Sequence, residues 1–305
     1  MGNMITKQEF INGVKNAVIL ISGRTVDAEV SSYMMNNGIE SNRLIVNYPG
    51  RAGISVYLDD LYQAFCKRDE DVSTMNDCAE TILRMLRENI GQADWLQEEI
   101  QDRITDYEKV KPMLRLRLVN GRLNLKKLAT HPHIPFLDLE IIFYVEIEKR
   151  EESIGSVAVD NNLLGLWGIS LEQMYQDALA NMQAEEPAAF RTMQDIPGLP
   201  LDDIMAGAGI TVPDIYILSN KSCINGAVSI LYPEILEKCA ETVRGDFWLV
   251  PSSVHEFLVC PAAVIADKNE LKEMICQVNE KELKPEEILS NHPYFYSVKE
   301  KIISM

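Results

Sequence analysis

Residues 133–159, HIPFLDLEIIFYVEIEKREESIGSVAV, carry the most regular pattern in the chain. From Leu137 onward, apolar and polar side chains alternate with a period of two, which is typical of a strand with one buried face. The charged run 148–152 predicts a turn, and the alternation resumes over residues 155–159. The stretch therefore predicts a long antiparallel hairpin against which the rest of the chain packs.

Helical and strand-like segments precede this hairpin. A capping box at Thr6 and Glu9 predicts a first helix over about residues 7–21. Leucines alternate with Arg115 and Arg117 just before the hairpin, which predicts a strand with both arginines on its outer face. Between these elements we predict three strands, around residues 26–35, 44–48 and 54–58, and two helices separated at Gly91, over about residues 74–90 and 94–107.

Prolines and glycines are concentrated in residues 184–213, a composition that breaks regular elements. We therefore expect a linker there, between an N-terminal α+β domain over residues 1–183 and a C-terminal domain over residues 214–305. The N-terminal domain is built around the 133–159 hairpin.

The C-terminal domain is predicted to have the order ββαββα. Its second strand is expected at residues 227–231, and residues 251–253 are expected in the turn of its second hairpin. The chain as a whole is predicted to be an α+β protein, with antiparallel sheets and flanking helices in two lobes.

The composition is that of a folded protein with an acidic surface. Hydrophobic residues make up 47% of the 305 residues and charged residues 25%, which are ordinary globular values. The formal net charge of -17 argues against binding of duplex DNA or of anionic membranes, because both attract basic surfaces. No apolar run is long enough to span a bilayer.

The six cysteines include no pair at the CxxC spacing of a metal or redox site. The sequence also lacks the pattern of a secretory signal. We therefore expect reduced and mostly buried thiols in a protein of the cytoplasm.

Three stretches resemble a known group of sequences: HPHIPFLDLEIIFYVEIE (131–148), IYILSNKSCINGAVSILYPEILEKCAETVRGDFWLVPSSVHEFLVCP (215–261) and KPEEILSNHPYFYS (284–297). In order and spacing they resemble uncharacterised bacterial proteins that are defined only by a domain of unknown function. They are more distantly similar to the YtpQ-like family, whose activity is also unknown. The resemblance covers nearly the whole chain, implies a soluble bacterial protein and supplies no catalytic residue.

A hydrolytic site is one functional hypothesis. His255 and Glu256 form the sharpest polar pair in the sequence, and Asp138 is the carboxylate that could complete the set. Ser252 or Ser253 would supply the nucleophile.

Two sequence patterns argue against this hypothesis. The zinc-protease motif HExxH needs a second histidine at position 259, which is Val259, and the nucleophile-elbow motif GxSxG is absent. Strand alternation places His255 beside Phe257 and Val259, which favours a half-buried, hydrogen-bonded histidine with a structural role.

A metal site is a second hypothesis. His131 and His133 lie two residues apart, and with Asp138 they could supply three ligands. Their spacing matches no established zinc set, so a polar loop that enters a strand is the preferred interpretation. The phosphate-binding motifs GxxxxGKS/T and GxGxxG are absent as well. We expect no bound metal and no cofactor.

A cluster of positive charge, the basic strip, lies within residues 111–127, which contain no acidic residue. Residues 151–305, by contrast, carry 24 acidic and ten basic side chains. The strip is either a solvated strand face or a docking site for an acidic protein partner or for the chain's own C-terminal lobe. Nucleic-acid contact is a weaker alternative, because the strip has no aromatic residue for stacking. Its members are Lys111, Arg115, Arg117, Arg122, Lys126 and Lys127.

The lack of a coherent catalytic set favours a non-enzymatic interaction or accessory protein. The predicted helix, three strands and helix at the N-terminus, with the acidic pI, are loosely similar to secretion chaperones, an analogy at the level of fold alone. A hydrolase that uses His255 and Glu256 is the alternative.

Overall fold

The computed structural model describes residues 5–51, 53–67, 73–149, 154–193, 215–265 and 267–305. The chain forms two compact units, of which the first contains Met1–Met35 and Ile39–Ile104 and the second contains Asn36–Gly38 and Thr105–Met305. Both units combine helices with antiparallel sheets, so the predicted α+β class is confirmed. No helix in the described ranges is both long enough and apolar enough to cross a membrane.

The described part of the first unit consists of three helices and a three-stranded sheet. The strands pair antiparallel in their chain order. The elements are α1 (Lys7–Ile21), β1 (Asp27–Met34), β2 (Glu40–Asn47), β3 (Gly53–Tyr57), α2 (Leu58–Lys67) and α3 (Met75–Ile104).

The helix α1 begins as predicted. Thr6 Oγ1 accepts the backbone N–H of Glu9 at 3.3 Å, and Glu9 Oε2 accepts the backbone N–H of Thr6 at 2.9 Å, which completes the capping box. One face of α1 then packs into the core of the unit, whose fully buried members include Phe10, Val14, Val18, Leu44, Val46, Ile82 and Leu86.

The predicted break at Gly91 is wrong, because α3 continues through this residue. A single glycine weakens a helix by only about 1 kcal/mol. The preceding turns of α3 place Ala79, Ile82 and Leu86 in the core, and this burial outweighs the cost of the glycine.

The second unit contains a four-stranded antiparallel sheet around the predicted hairpin. The long strand β6 pairs with β4 on one side, and with β5 and β7 on the other. The elements of this part are α4 (Tyr107–Val110), β4 (Leu114–Asn120), α5 (Leu125–Leu128), β5 (His133–Phe136), β6 (Leu139–Lys149), β7 (Ile154–Ala158), α6 (Asn161–Trp167) and α7 (Leu171–Glu185).

The predicted alternation is present along β6, but both of its faces are covered. The odd-numbered residues between 139 and 145 are buried on one face, as predicted. On the other face Ile142 and Tyr144 are buried as well, in a cluster with Leu128 of α5. Leu137 lies outside the strand, in a turn where its φ is 59°.

The second unit also contains a six-stranded antiparallel sheet. Its strand order is β13-β12-β10-β11-β9-β8. The remaining elements are β8 (Ala188–Thr192), β9 (Tyr216–Asn220), α8 (Ile235–Val243), β10 (Phe247–Ser253), β11 (Glu256–Pro261), α9 (Lys268–Lys281), β12 (Tyr294–Ser297) and β13 (Ile302–Ser304).

The predicted linker overlaps this sheet, since β8 lies inside residues 184–213. Residues 194–214 lie outside the described part of the chain, so a domain boundary there stays a prediction. The two compact units divide the chain between Ile104 and Thr105, and Asn36–Gly38 also belongs to the second unit.

Two local predictions in the C-terminal segment are wrong. Residues predicted as a strand at 227–231 belong to a buried 3₁₀ helix, Gly226–Leu231. A Cβ on Gly226 would lie 2.1 Å from Ser219 Oγ and 2.6 Å from the carbonyl oxygen of His255, so only glycine lets the chain turn this close to the sheet.

The second of these errors concerns the hairpin of β10 and β11, whose turn is formed by Val254 and His255 rather than by residues 251–253. Ser253 Oγ accepts the backbone N–H of His255 at 3.0 Å and thereby closes the turn. Pro251 is tolerated in β10 because it lies beyond the part of the strand that pairs with β12.

Candidate functional site

His255 forms hydrogen bonds with two neighbouring segments of the chain. Its Nδ1 accepts the backbone N–H of Asn225 at 3.1 Å, and its carbonyl oxygen accepts the hydroxyl of Ser219 at 2.7 Å. The side chain is half-buried, as predicted, although it lies in the turn and not in the strand. The neighbouring Glu256 accepts the hydroxyl of Ser252 at 3.3 Å.

Asp138 is held by a different part of the chain. It lies in the turn between β5 and β6, where Oδ1 accepts the hydroxyl of Tyr294 at 2.5 Å and Oδ2 accepts that of Ser290 at 2.7 Å. Both hydroxyl residues are fully buried. Burial and the Asp138 carboxylate raise the pKa of Tyr294 far above its ordinary value.

Hydrogen bonds do not connect the three residues of the hydrolase hypothesis to one another in the described part of the chain. Among the described residues, no hydrogen bond joins any two of Asp138, His255 and Glu256, and each has the separate partners given above. The catalytic role of these residues stays a prediction.

The two histidines of the metal hypothesis bind backbone carbonyls. His131 Nδ1 lies 2.8 Å from the carbonyl oxygen of Lys127, and His133 Nδ1 lies 2.8 Å from that of His131. The described residues include no group of three or more histidine, cysteine, aspartate or glutamate side chains that could hold a metal ion.

Some members of the basic strip form ion pairs, hydrogen bonds or ring contacts within the protein. Others form no hydrogen bond or ion pair with any residue that the structure describes. Lys111 lies 3.1 Å from Asp177 of α7. Arg115, which is only 8% exposed, forms ion pairs with Glu146 of β6 and with Glu185 in the last turn of α7. The sequence alternation does put Arg115 and Arg117 on one face of β4, but at Arg115 that face is covered, not solvated.

Arg117 and Lys127 surround one buried tyrosine. The guanidinium carbon of Arg117 lies 3.8 Å from the centre of the Tyr144 ring, and Lys127 Nζ donates to the Tyr144 hydroxyl at 2.6 Å. Arg117 Nη2 also donates to Ser156 Oγ of β7 at 2.9 Å. Neither cation forms an ion pair with any carboxylate that the structure describes.

The two cations change the acidity of Tyr144, which is 7% exposed. Burial alone would raise its pKa, but Arg117 and Lys127 outweigh the burial and lower the pKa below its ordinary value. Perturbed acidity of this kind is common at functional sites.

The Arg117 side chain lines a polar pocket, the arginine pocket, with a cavity volume of about 20 Å³. One wall comes from β4, β6 and β7, and another comes from the loop that follows β9. Most of its lining side chains are polar or charged: Arg115, Arg117, Tyr144, Glu146, Ser156, Glu186, Asn220, Ser222 and Asn225, with Leu116, Met182 and Ile224.

Sequence reasoning missed most of this pocket. Alternation places Tyr144 on the same face as Glu146, and the pairing of β4 with β6 then places Arg115 opposite Tyr144. No local sequence pattern predicts that Asn225 lines the pocket, because its position depends on a left-handed turn (φ 52°) far along the chain.

The remaining members of the basic strip lie in residues 122–126, the basic loop, which runs from the turn after β4 into the start of α5. Arg122 and Lys126 are exposed and make no hydrogen bond or ion pair with any described residue. The leucines between them, Leu123 and Leu125, are 47% and 67% exposed.

The middle residue of the basic loop anchors it. Asn124 is buried, and its Nδ2 donates to Asn37 Oδ1 at 2.9 Å and to the carbonyl oxygen of Asn120 at 2.8 Å. The side chain of Asn120 accepts the backbone N–H of Leu123 at 2.9 Å. The loop therefore holds its polar centre inward and presents two cations and two leucines to solvent.

Comparison with known proteins finds one match. A family model described as "Family of unknown function (DUF5688)" matches residues 7–298. No curated protein and no solved structure matches the chain.

Proposed function

The chain belongs to DUF5688, a family of unknown function, and from the geometry of its own residues we propose that it is a non-enzymatic interaction protein. It binds an acidic, partly apolar segment of a partner protein, and the binding surface is the basic loop. The bacterial origin and cytoplasmic location that the sequence suggests belong to the same proposal. All six cysteines are free thiols, which supports a reducing compartment.

One observation carries the proposal: Arg122 and Lys126 are exposed, have no partner among the described residues, and flank two exposed leucines. In a chain of net charge -17, this combination is a local positive surface with an apolar centre. An acidic segment with one apolar side would pair its carboxylates with the cations and bury its apolar residues against Leu123 and Leu125.

The anchoring of Asn124 also supports recognition. A loop that is already fixed by buried hydrogen bonds loses little conformational entropy when a partner binds. The charged ends of the loop would steer the approach of the partner, so that salt should weaken the association.

The test compares proteins captured from an extract of the native host at low salt and identified by mass spectrometry. The double variant Arg122→Glu, Lys126→Glu should lose the proteins with acidic segments that the wild type captures. The matched control Lys268→Glu, Lys299→Glu makes the same change of charge at two other exposed lysines and should keep them.

A further variant separates the charges from the apolar centre. Leu123→Ser, Leu125→Ser should weaken capture of the same proteins without changing its dependence on salt. If the double variant Arg122→Glu, Lys126→Glu captures the same proteins as the wild type and the control, the basic loop is not the binding surface.

A further inference from the structure

We propose that the arginine pocket is a binding site for a small organic anion, held through a carboxylate or phosphate group, with Arg117 as its main ligand. The site is independent of the basic loop and of the protein partner proposed above.

Among the described residues, one guanidinium of the pocket, that of Arg117, has no counter-ion. Arg115 is neutralised by Glu146 and Glu185, and its Nη1 donates to the carbonyl oxygens of Pro112 and Leu114. Arg117, in contrast, has a hydroxyl and an aromatic ring as its partners, and no carboxylate among the described side chains pairs with it.

The orientation of Arg117 suits recognition of an anion. Its guanidinium carbon lies 3.8 Å from the centre of the Tyr144 ring, and Nη2 donates to Ser156, so the guanidinium is held in place before a ligand arrives. A guanidinium carries five N–H donors in a fixed fork, and this fork matches the two oxygens of a carboxylate or phosphate.

Further donors lie on the opposite wall. The side-chain amide of Asn225 lines the pocket and makes no hydrogen bond with any described residue. Ser222, in contrast, is already occupied, because its hydroxyl donates to Asn220 Oδ1 at 3.4 Å and its backbone N–H donates to Glu186 Oε2 at 3.0 Å. Glu146 and Glu186 also line the pocket, so an anion would bind on the Arg117 side, away from these carboxylates.

The volume limits the ligand. The cavity volume of about 20 Å³ is little more than the space that one water molecule needs, so only the carboxylate or phosphate group of a ligand would enter, and a protein segment is excluded. The lining is mostly polar, so recognition would rely on hydrogen bonds and charge more than on apolar contact.

The experiment measures binding of two probes, inorganic phosphate and succinate, by calorimetry and by the midpoint of thermal unfolding. Sodium chloride at the same ionic strength is the reference. The wild type should bind at least one probe and should unfold at a higher temperature in its presence. Binding of phosphate alone, or of succinate alone, would assign the chemical class of the natural ligand.

Two variants with different risks to folding test the site. Arg117→Lys keeps the charge but loses the fork, and Asn225→Asp places a negative charge on the opposite wall in a left-handed conformation that aspartate tolerates. Each should weaken binding about tenfold or more, since a charge-assisted hydrogen bond is lost or opposed. Lys268→Gln removes an exposed charge that does not line the pocket and should leave binding unchanged.

Either of two results would overturn the proposal. One is that the folded wild type binds neither probe more strongly than chloride. The other is that Arg117→Lys and Asn225→Asp, both folded, bind the probes as tightly as the wild type does.

Discussion

The ammonium group of Lys127 lies 2.6 Å from the hydroxyl oxygen of Tyr144 and donates a hydrogen bond to it. Tyr144 thus has a cation beside its oxygen and, in Arg117, a second cation over its ring. Burial alone would raise the pKa of this tyrosine, but the two cations together lower it. In Tyr294 the burial and the neighbouring carboxylate of Asp138 act in the same direction and raise the pKa.

Replacement of Lys127 by glutamine should raise the pKa of Tyr144, because the cation nearest to its oxygen is lost. The difference in tyrosinate absorbance between the wild type and Tyr144→Phe isolates the titration of this group. Lys126→Gln, which alters an exposed neighbour, should leave the titration unchanged. An unchanged pKa in Lys127→Gln would contradict the electrostatic role assigned to Lys127.

The two tyrosines should affect stability with opposite dependence on pH. A lowered pKa in the folded state stabilises the fold above the unfolded value of about 10, and that contribution is lost as the pH falls through the folded pKa. A raised pKa stabilises below the unfolded value, and the contribution is lost as the pH rises. Between neutral pH and about pH 10, the cost of Tyr144→Phe in urea unfolding should therefore grow. The cost of Tyr294→Phe should stay constant over this range and should shrink only above about pH 10.

Asp138 should behave as a structural acceptor. Asp138→Ala leaves the buried hydroxyls of Ser290 and Tyr294 without their acceptor, and each such loss costs about 1–3 kcal/mol. We expect a loss of about 3 kcal/mol in the free energy of unfolding, with a smaller loss for Asp138→Asn, whose amide keeps one acceptor. If Asp138→Asn had wild-type stability but abolished a measured hydrolytic activity, the catalytic hypothesis would be favoured instead.

Patterns that depend on neighbouring residues were predictable from the sequence. The capping box at Thr6 and the alternation along β6 follow from local geometry, which is why their positions agree with the structure. The resemblance also singled out the segments 131–148 and 284–297, and the structure joins them through Asp138 and Tyr294.

Features that depend on distant segments were not predictable. The alternation around Arg115 correctly predicts the face of β4 on which this residue lies. It does not predict the ion pair with Glu185, which lies in α7, 70 residues further along the chain. Similarly, the apolar run after Gly226 has the composition of a strand. The close approach of Ser219 and His255 makes it a 3₁₀ helix instead.

Gly226 should tolerate no side chain. In Gly226→Ala the new Cβ would lie within 2.6 Å of the backbone nitrogen of Asn220 as well as of the His255 carbonyl oxygen, and backbone atoms cannot move aside cheaply. The expected cost is about 3 kcal/mol or more. Gly165→Ala is the control, since nothing lies within 4 Å of its Cβ, and in the helix α6 it should stabilise by about 0.5–1 kcal/mol. Equal stability of the two variants in urea would contradict this account.

The last prediction separates the two kinds of residue within the basic strip. Arg115→Met removes a buried cation and leaves Glu146, whose side chain is 14% exposed, without its counter-ion. Breaking a buried pair costs about 3–5 kcal/mol, and the solvent exposure of the second partner, Glu185, places the expected loss near the lower limit. Arg122 has no hydrogen-bond or ion-pair partner among the described residues, so Arg122→Met should change stability by less than about 0.5 kcal/mol.

A compensating change tests the cause of this loss. Adding Glu146→Leu to Arg115→Met removes the uncompensated carboxylate, so the double variant should recover part of the free energy that the single variant loses. Urea unfolding of the wild type, the single variants Arg115→Met and Glu146→Leu, and the double variant gives the coupling energy directly. If Arg115→Met were as stable as Arg122→Met, Arg115 would not be an internal ion-pair residue, and the whole strip would again be available for an acidic partner. If the coupling is found, charge reversal at Arg115 would test the stability of the fold, and only Arg122 and Lys126 would report on docking.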